Sequence, residues 1–394
     1  MKLGSNYSTA LPYVQGRLEQ ANGGAQEAIG NERRALKQSA LSCGVVGSSN
    51  SALALSAYLS SQGYSVHILA RDINKIERVF QEKRVVAVGK LEGAFSLKTV
   101  TSVRQDFVAK CDVIFLATVT TAYADVIAQL APYLRPGQVI ILFSSKLCGA
   151  VLVEHLLAQH GIKSVTVLET DALFACRKQQ DESVWIRGFK NWTLYSGSSK
   201  AKTKEFGHLM EYFFPGLEPA ANPVQRGLTD FGALAHPLTM LANLNTIDKG
   251  HPFLFYYEGF TERTVTLLEQ MEQEFAAIAT AYGAPLISMT ELLNRYYGCE
   301  TGSLLRAMQT VPNYRFSYAP DTLEHRYLQE DVACTLVPAM QLAQVAGVKT
   351  PLITSVVNLA SAIGNVNFEE QGRTLASLNL AGLSHQEVVY KLYG

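Results

Sequence analysis

The chain has no run of about 18 apolar residues, the length a helix needs to cross a bilayer, and behind Lys2 there is no apolar stretch of the kind a secretory signal carries. The expectation is a cytoplasmic protein with no membrane partner. An excess of charge is missing too, because 34 Lys and Arg balance 34 Asp and Glu. A neutral chain offers nucleic acid no counterion release and an acidic membrane no long-range attraction, which leaves small molecules as the expected partners. The 6 cysteines (Cys43, Cys111, Cys148, Cys176, Cys299 and Cys334) are scattered, with no C-x-x-C pair and no histidine at zinc spacing. They read as thiols of a reducing compartment, and no metal site is expected.

Glycine is also missing where a dinucleotide-binding turn would use it. Residues 42 to 72, SCGVVGSSNSALALSAYLSSQGYSVHILARD, read as strand, tight turn, helix, strand. Val45 and Val46 run into Gly47. Ala52, Leu53, Leu55, Tyr58 and Leu59 recur at helical spacing, Gly63 stops the helix, and Val66, Ile68 and Ala70 alternate along a second strand. That strand ends in Arg71 and Asp72, about 20 residues past the turn, where a mononucleotide-binding unit keeps its ribose-reading residue. The Gly-x-Gly-x-x-Gly pattern is reduced to Gly47-Ser48-Ser49-Asn50-Ser51-Ala52, in which only the turn-forming glycine survives. A βαβ unit that binds no nucleotide is the alternative on this stretch alone.

At 394 residues the chain exceeds one ordinary core, and roughly two domains are expected. Residues 1–40 are polar and rich in Gln, Asn and Gly; they read as a flexible or surface-packed extension, with a homodimer contact as the functional alternative. From 41 to 221 strands and helices alternate: CDVIFLAT (111–118), a helix over 122–134, QVIILFS (138–144), a helix over 147–160, SVTVLET (164–170), a strand-like stretch over 184–196 and a helix over 202–214. Near-continuous apolar strands joined by single helices imply a parallel sheet covered on both faces. From 222 to 394 the period becomes helical, over 229–244, 262–282, 288–297, 303–309, 323–346 and 351–363. The fold class expected is α/β, an N-terminal Rossmann-type doubly wound parallel sheet followed by a mostly α-helical C-terminal domain.

Two constellations in the second half could do chemistry. His236 lies in LAHPLTMLANLNT, where Pro237 fits the first turn of a helix; at that positive end the imidazole would resist protonation and suit a proton relay near neutral pH. A structural histidine before a helix is the alternative. In His325-Arg326-Tyr327-Leu328-Gln329-Glu330-Asp331, Arg326 and Glu330 are i,i+4 neighbours, which alone is no more than a solvated helix face.

Four stretches taken together resemble the octopine/nopaline (opine) dehydrogenase family. They are Gly47 to Leu55 with Asn50 in a GxxNxxxAL pattern, ETDALFACR at 169–177, AHPLTMLANLNTID followed by FLFYYEGFT (235–261), and HRYLQEDV (325–332) leading into LVPAMQLAQVAGVKTP. The resemblance implies an enzyme that reduces, with a nicotinamide cofactor, the imine formed from an amino acid and a 2-oxo acid, giving an N-(carboxyalkyl) amino acid. It implies His236 as the catalytic histidine, Asp331 as the carboxylate orienting it, and Arg326 as the guanidinium holding a substrate carboxylate. Glu258, with Tyr256 beside it, could contact the amine or cap a helix start. Gly47, Ser48, Ser49, Asn50, Arg71, Thr118 and Ser144 are the expected cofactor contacts, the serines replacing backbone donors with hydroxyls. Arg71 favours the 2′-phosphate of NADP, and Asp72 beside it leaves NAD open. The loop SSKLCGA (144–150) departs from the Pro-Gly-rich turn expected there and would put polar or bulky side chains near a dinucleotide. Two rivals stand beside this reading, a carbonyl reductase like ketopantoate reductase or a 3-hydroxyacid dehydrogenase, and a non-catalytic dinucleotide-binding sensor or scaffold.

Overall fold

The computed structural model describes residues 41–394, and the expected extension over residues 1–40 lies outside them. Two compact units emerge, one running up to Ser144 and resuming over Leu156–Phe189, the other comprising Ser145–His155 and Lys190–Gly394.

The first unit contains β1 (Ser42–Val46), β2 (Ser65–Leu69), β3 (Arg84–Gly89), β4 (Gly93–Ser96), β5 (Thr99–Thr101), β6 (Val113–Leu116), β7 (Val139–Phe143), β8 (Thr166–Thr170), β9 (Phe174–Lys178) and β10 (Val184–Phe189). Its main sheet runs β8-β7-β6-β1-β2-β5, and every pairing along that order is parallel. Numbered by their sequence among themselves, these strands give 3-2-1-4-5-6, the order of a dinucleotide-binding sheet. The sequence explains the choice: every residue of VIFL in β6 and VIILF in β7 is buried, as a parallel sheet covered by helices requires. The helix Asn50–Ser61 buries Ala52, Leu53, Ala54, Leu55, Ala57 and Leu59. Its small residues allow it to lie close to the sheet.

A second sheet, β4-β3-β10-β9, was not expected. It is mixed, with β3 parallel to β10 and the other pairs antiparallel. Its strands are short and only partly buried, and β3 and β4 are joined by a turn between Gly89 and Gly93, so their sequence lacks the apolar run that marks the main sheet. The strand-like stretch 184–196 is two strands, β10 in this unit and β11 (Thr193–Gly197) in the other. The charged and polar Lys190-Asn191 interrupts it.

In the second unit β11 pairs in parallel with β12 (Leu217–Pro219), and helices supply the rest. The 20-residue helix Glu262–Ala281 buries Leu268, Met271, Phe275 and Ile278, one stripe at i, i+3, i+7 and i+10, and Tyr282 at its end donates to the Leu342 carbonyl at 2.9 Å. The last strand ends at Pro219 and the first helix after it starts at Pro223. The change of period thus falls between Pro219 and Pro223, whereas compactness divides the chain at 189/190 and assigns 145–155 to the helical unit. The reason is packing: β11 carries the helix Lys200–Phe213 and the helix Pro223–Leu228 against it. No helix among the described residues is long and apolar enough to cross a membrane.

Gly44 in β1 has no room for a side chain, because a Cβ there would meet Cys111 Sγ and Phe107 Cζ at 2.5 Å, both fully buried. Gly44→Ala should lower stability by about 1–3 kcal/mol through overpacking, read as a lower urea midpoint at unchanged slope. Gly302→Ala, with nothing within 4 Å of its Cβ, should leave the midpoint where it is.

Candidate active site

The site in the second unit is built on the helix Phe231–Ala242, which Asp230 caps by accepting from Ala233 N at 3.1 Å. His236 is therefore well inside this helix and Pro237 is an interior proline, not the first-turn residue expected. The Asp230 cap, invisible to the proline rule, starts the helix two turns earlier. The missing N–H of Pro237 costs the helix one internal hydrogen bond. The imidazole lies back over Gly232, where a Cβ would stand 2.7 Å from His236 Cε1. Glycine at that position makes room for the ring.

His236 and Asp331, 95 positions apart in sequence, meet with Nδ1 2.8 Å from Oδ2. Nε2 is 2.8 Å from the Tyr256 hydroxyl. Tyr327 stacks on the ring at 3.7 Å between centroids and 11° between planes. An ionised carboxylate only accepts, so Nδ1 carries the proton, and Nε2 accepts from Tyr256. Tyr256 is itself stacked on Tyr314 at 3.9 Å, and burial raises its phenol well above the usual range, which keeps it a donor. Asp331 closes the helix Arg326–Asp331, whose cap is His325, and the chain runs directly into a π-helix over Val332–Leu336. One α-helix was expected across 323–346; π turns of this kind recur at functional sites.

Burial lowers the affinity of His236 for a proton, with the Lys146 and Arg326 charges adding to the effect and Asp331 opposing it. The ring is therefore neutral at pH 7. Burial would raise the Asp331 carboxyl, but the Lys146 ammonium and the His236 hydrogen bond overcome it and hold the group well below the usual carboxylate range. Lys146 stands 2.7 Å from Asp230 Oδ2 and 2.5 Å from Asp331 Oδ1. Its burial works against the charge, and the two aspartates outweigh that to hold the ammonium protonated. The lysine of SSKLCGA thus belongs to this cluster. The signal that could have found it is a lone cation in an otherwise apolar and small-residue loop.

The other expected substrate contacts are placed unevenly. Arg326 has a side chain 53% exposed, with Nη1 3.4 Å from Glu330 Oε2 and its guanidinium carbon 5.2 Å from the centre of the Tyr327 ring. Glu258 is exposed, and its carboxylate accepts from Leu254 N at 2.5 Å. That contact closes a turn and caps no helix, the next helix start being capped by Thr261, and it does not join the His236 cluster.

In the first unit a cavity of about 390 Å³ is lined by Gly47, Ser48, Ser49, Arg71 and Thr118, with Lys75 and Arg104 beside them. Gly47 has φ +135°, and a Cβ on it would meet the Ala117 carbonyl oxygen at 2.7 Å; this is the tight turn at the mouth between β1 and β6. Ser49 donates its hydroxyl to Ala117 O at 3.2 Å and makes no side-chain cap on the helix it precedes. Its hydroxyl is thus committed to the protein, and the helix's first N–H groups are left for a ligand. Thr118 Oγ1 is buried in the cavity wall with no hydrogen-bond partner. A largely apolar cavity that carries an orphaned hydroxyl, open helix donors and three cations against one carboxylate, Asp125, fits a nicotinamide dinucleotide.

Two expected cofactor contacts fall elsewhere. Asn50 is not in the lining: its Oδ1 accepts from Lys178 N at 2.9 Å, tying the helix start to β9. Ser144 is also outside the lining and holds a left-handed φ of 68° where β7 ends. Lys75 and Arg104 were missed because they lie on separate turns of chain, and only the β2–β5 side of the sheet brings them together.

A family model described as NAD/NADP octopine/nopaline dehydrogenase, alpha-helical domain, matches residues 219–364, and one described as ketopantoate reductase PanE/ApbA matches residues 43–145. The chain is 32% identical over 342 residues to an opine dehydrogenase of Arthrobacter sp. (strain 1C), covering 86% of this chain and 95% of that protein. It is 26% identical over 284 residues to protein ocs of Agrobacterium tumefaciens (strain Ach5), covering 71% and 78%. Among solved structures, octopine dehydrogenase with NADH and L-arginine aligns at TM-score 0.69 and 19% identity over 89% of this chain and 98% of that one. Yersinopine dehydrogenase with NADP+ aligns at 0.66 and 16%, over 89% and 97%.

The packing of Gly232 under His236 makes a sign-split prediction. Gly232→Ala should gain up to about 1 kcal/mol of helix propensity while displacing the imidazole. The check is the Hε1 resonance of His236 by NMR, which should shift and lose its single sharp environment, while the melting temperature falls because the lost ring hydrogen bonds outweigh the propensity gain.

Proposed function

Because the chain belongs to the opine dehydrogenase family and is an NAD(P)-dependent oxidoreductase, we propose that it condenses an amino acid with a 2-oxo acid and reduces the resulting imine to an N-(carboxyalkyl) amino acid. The observation that carries this reading is the buried, neutral His236 with Asp331 on Nδ1 and Tyr256 on Nε2. That the solved octopine dehydrogenase is seen with L-arginine, with agmatine and with pyruvate supports an amino compound and a 2-oxo acid as the substrate pair.

A nicotinamide cofactor held by the cavity of Gly47, Ser48, Arg71 and Thr118 would supply the hydride; the chain supplies proton transfer and orientation. An amino acid arrives as an ammonium, which cannot attack a carbonyl. Neutral His236 takes that proton at Nε2, freeing the nitrogen lone pair for condensation with loss of water. Reduction leaves the nitrogen short of a proton, and Nε2 returns it. The Tyr256 hydroxyl stands on that atom, so the proton passes by way of it, the oxygen accepting one hydrogen as it gives up the other. Asp331 fixes the tautomer and steadies the imidazolium while it lasts. Arg326 offers a planar fork for a substrate carboxylate. A neutral resting imidazole serves the first step, which needs a base.

For the cofactor, NADP(H) is the preferred form. Arg71, Lys75 and Arg104 line one cavity, while the Asp72 carboxylate, which would reject a 2′-phosphate, instead accepts from Asn74 N at 3.1 Å.

Amino acids tested in pairwise combination with pyruvate, glyoxylate and 2-oxoglutarate, with NADPH, should give nicotinamide oxidation only when both partners are present, and a product whose mass is that of the reduced imine. His236→Asn should cut the rate by roughly 10²–10⁴. Oxidation of NADPH by a 2-oxo acid alone would overturn the imine reading in favour of a carbonyl reductase. Arg71→Ala should raise the KM for NADPH roughly tenfold to a hundredfold, the worth of one charge-assisted hydrogen bond, and leave the KM for NADH nearly unchanged.

A further inference from the structure

The segment Ser145-Lys146-Leu147 is built with unusual care. Ser144 and Cys148, which bracket it, both hold left-handed backbone, φ 68° and 57°, a conformation that side chains other than glycine's adopt only against a steric penalty. Buried Arg226 donates Nη2 to Ser145 O at 2.8 Å and to Lys146 O at 3.1 Å, and buried Arg373 donates Nη1 to Leu147 O at 2.6 Å. Against Leu147 packs Gly227, where a Cβ would lie 2.4 Å from a Leu147 methyl. All this fixes one ammonium, 6% exposed, between Asp230 and Asp331, 3% and 2% exposed.

We propose that Lys146 is the charge-setting positioning residue of the His236–Asp331 pair: by sharing its ammonium between Asp331 and Asp230 it offsets the carboxylate beside the imidazole, so that His236 is not trapped as half of an ion pair. A buried carboxylate alone beside a buried imidazole draws a proton onto the ring and keeps it there. A second cation already on that carboxylate removes the pull. Asp230 completes the device. It sits at the cap of the same helix that carries His236 and takes the share of the ammonium that Asp331 does not neutralise, so the chain Asp230–Lys146–Asp331–His236 starts and ends on one helix. The other charged groups around the pair are Arg326 and Glu330 on the helix bearing Asp331, the Arg226 guanidinium on the Lys146 carbonyl, and the His325 imidazole, held neutral at pH 7 by burial first and then by Arg326 and His236. Tyr256 and Tyr327 face the ring with their own aromatic rings. The inference builds on His236 as the proton carrier, and its test needs no turnover.

The experiment follows the Hε1 resonances of the 8 histidines against pH by NMR, with His236 assigned by His236→Gln. Lys146→Met/Asp230→Asn removes one cation and one anion together, leaving Asp331 alone on the ring; His236 should titrate about one unit or more higher than in the unaltered protein. Asp230→Asn alone keeps the helix cap and leaves the ammonium to Asp331, so the His236 midpoint should move down. Lys146→Arg, which keeps the charge, should stay close to the unaltered protein. The proposal is overturned if the double variant titrates with the unaltered protein, or if Asp230→Asn moves the midpoint upward or not at all. The second criterion decides the matter even if the double variant does not fold. Shifts of the expected sign without amine-dependent turnover would sink the imine reading and leave this one standing.

Discussion

The carboxylate of Asp331 is the point on which the site turns, since its two oxygens face two different partners, one a permanent cation and one a neutral imidazole. Oδ2 takes the imidazole N–H at 2.8 Å, and Oδ1 takes the Lys146 ammonium at 2.5 Å. An aspartate this deeply buried would favour its neutral acid if it stood alone. Paired with a permanent cation on one side it stays ionised, and an ionised acceptor dictates which nitrogen of His236 carries the proton. That choice leaves Nε2 as the nitrogen that exchanges a proton with anything outside the pair. Removing Lys146 alone would leave two carboxylates without their cation in a dry interior, at a cost of about 3–5 kcal/mol for a buried pair.

Several local departures from regular structure serve that carboxylate. The π turn that begins at Val332 adds a residue to the helix immediately after Asp331, and in it the Ala333 carbonyl accepts from Arg373 N at 2.7 Å. Arg373 in turn holds the Leu147 carbonyl. The loop bearing Lys146 and the helix bearing Asp331 are therefore tied through one arginine as well as through the ion pair. Gly232 under the imidazole and Pro237 just after it are both poor residues for a helix interior. Their joint presence is explained by the ring: one leaves space for it and the other follows it in a helix already capped by Asp230. Local rules are broken where the site needs a geometry that regular helix does not provide.

How far this was legible follows from what each residue signals locally. The main sheet was readable because VIFL and VIILF are apolar without interruption, and the β3–β4 ribbon was not, because its residues are half exposed and carry no period of their own. His236 and Asp331 could be paired only through the resemblance; nothing in either stretch points across 95 positions. The loop around Lys146 was visible as an oddity but was read toward a dinucleotide, since a lysine in a loop after a strand carries no mark of which carboxylate it will meet. Asn50 shows the converse error. It stands in the turn that a nucleotide would touch, yet its amide oxygen finds an edge-strand N–H first, because an exposed asparagine at a helix start takes whatever donor lies nearest.

The same reasoning explains how a turn of the dinucleotide-binding kind keeps its shape with most of its glycines gone. The first glycine is irreplaceable on steric grounds, since φ +135° and a carbonyl at 2.7 Å from any Cβ exclude a side chain at position 47. The second is dispensable only if the side chain that replaces it can be turned aside. Ser49 does so by donating to Ala117 O, which removes its hydroxyl from the line of approach and leaves the backbone N–H groups of the following helix open. The third, Ala52, is a small buried residue 3.2 Å from where a Cβ of Gly47 would lie, so helix and strand keep their close approach. The motif that looks degraded as a string of letters thus keeps each of its physical functions, by one steric necessity and two small side chains that stay out of the way.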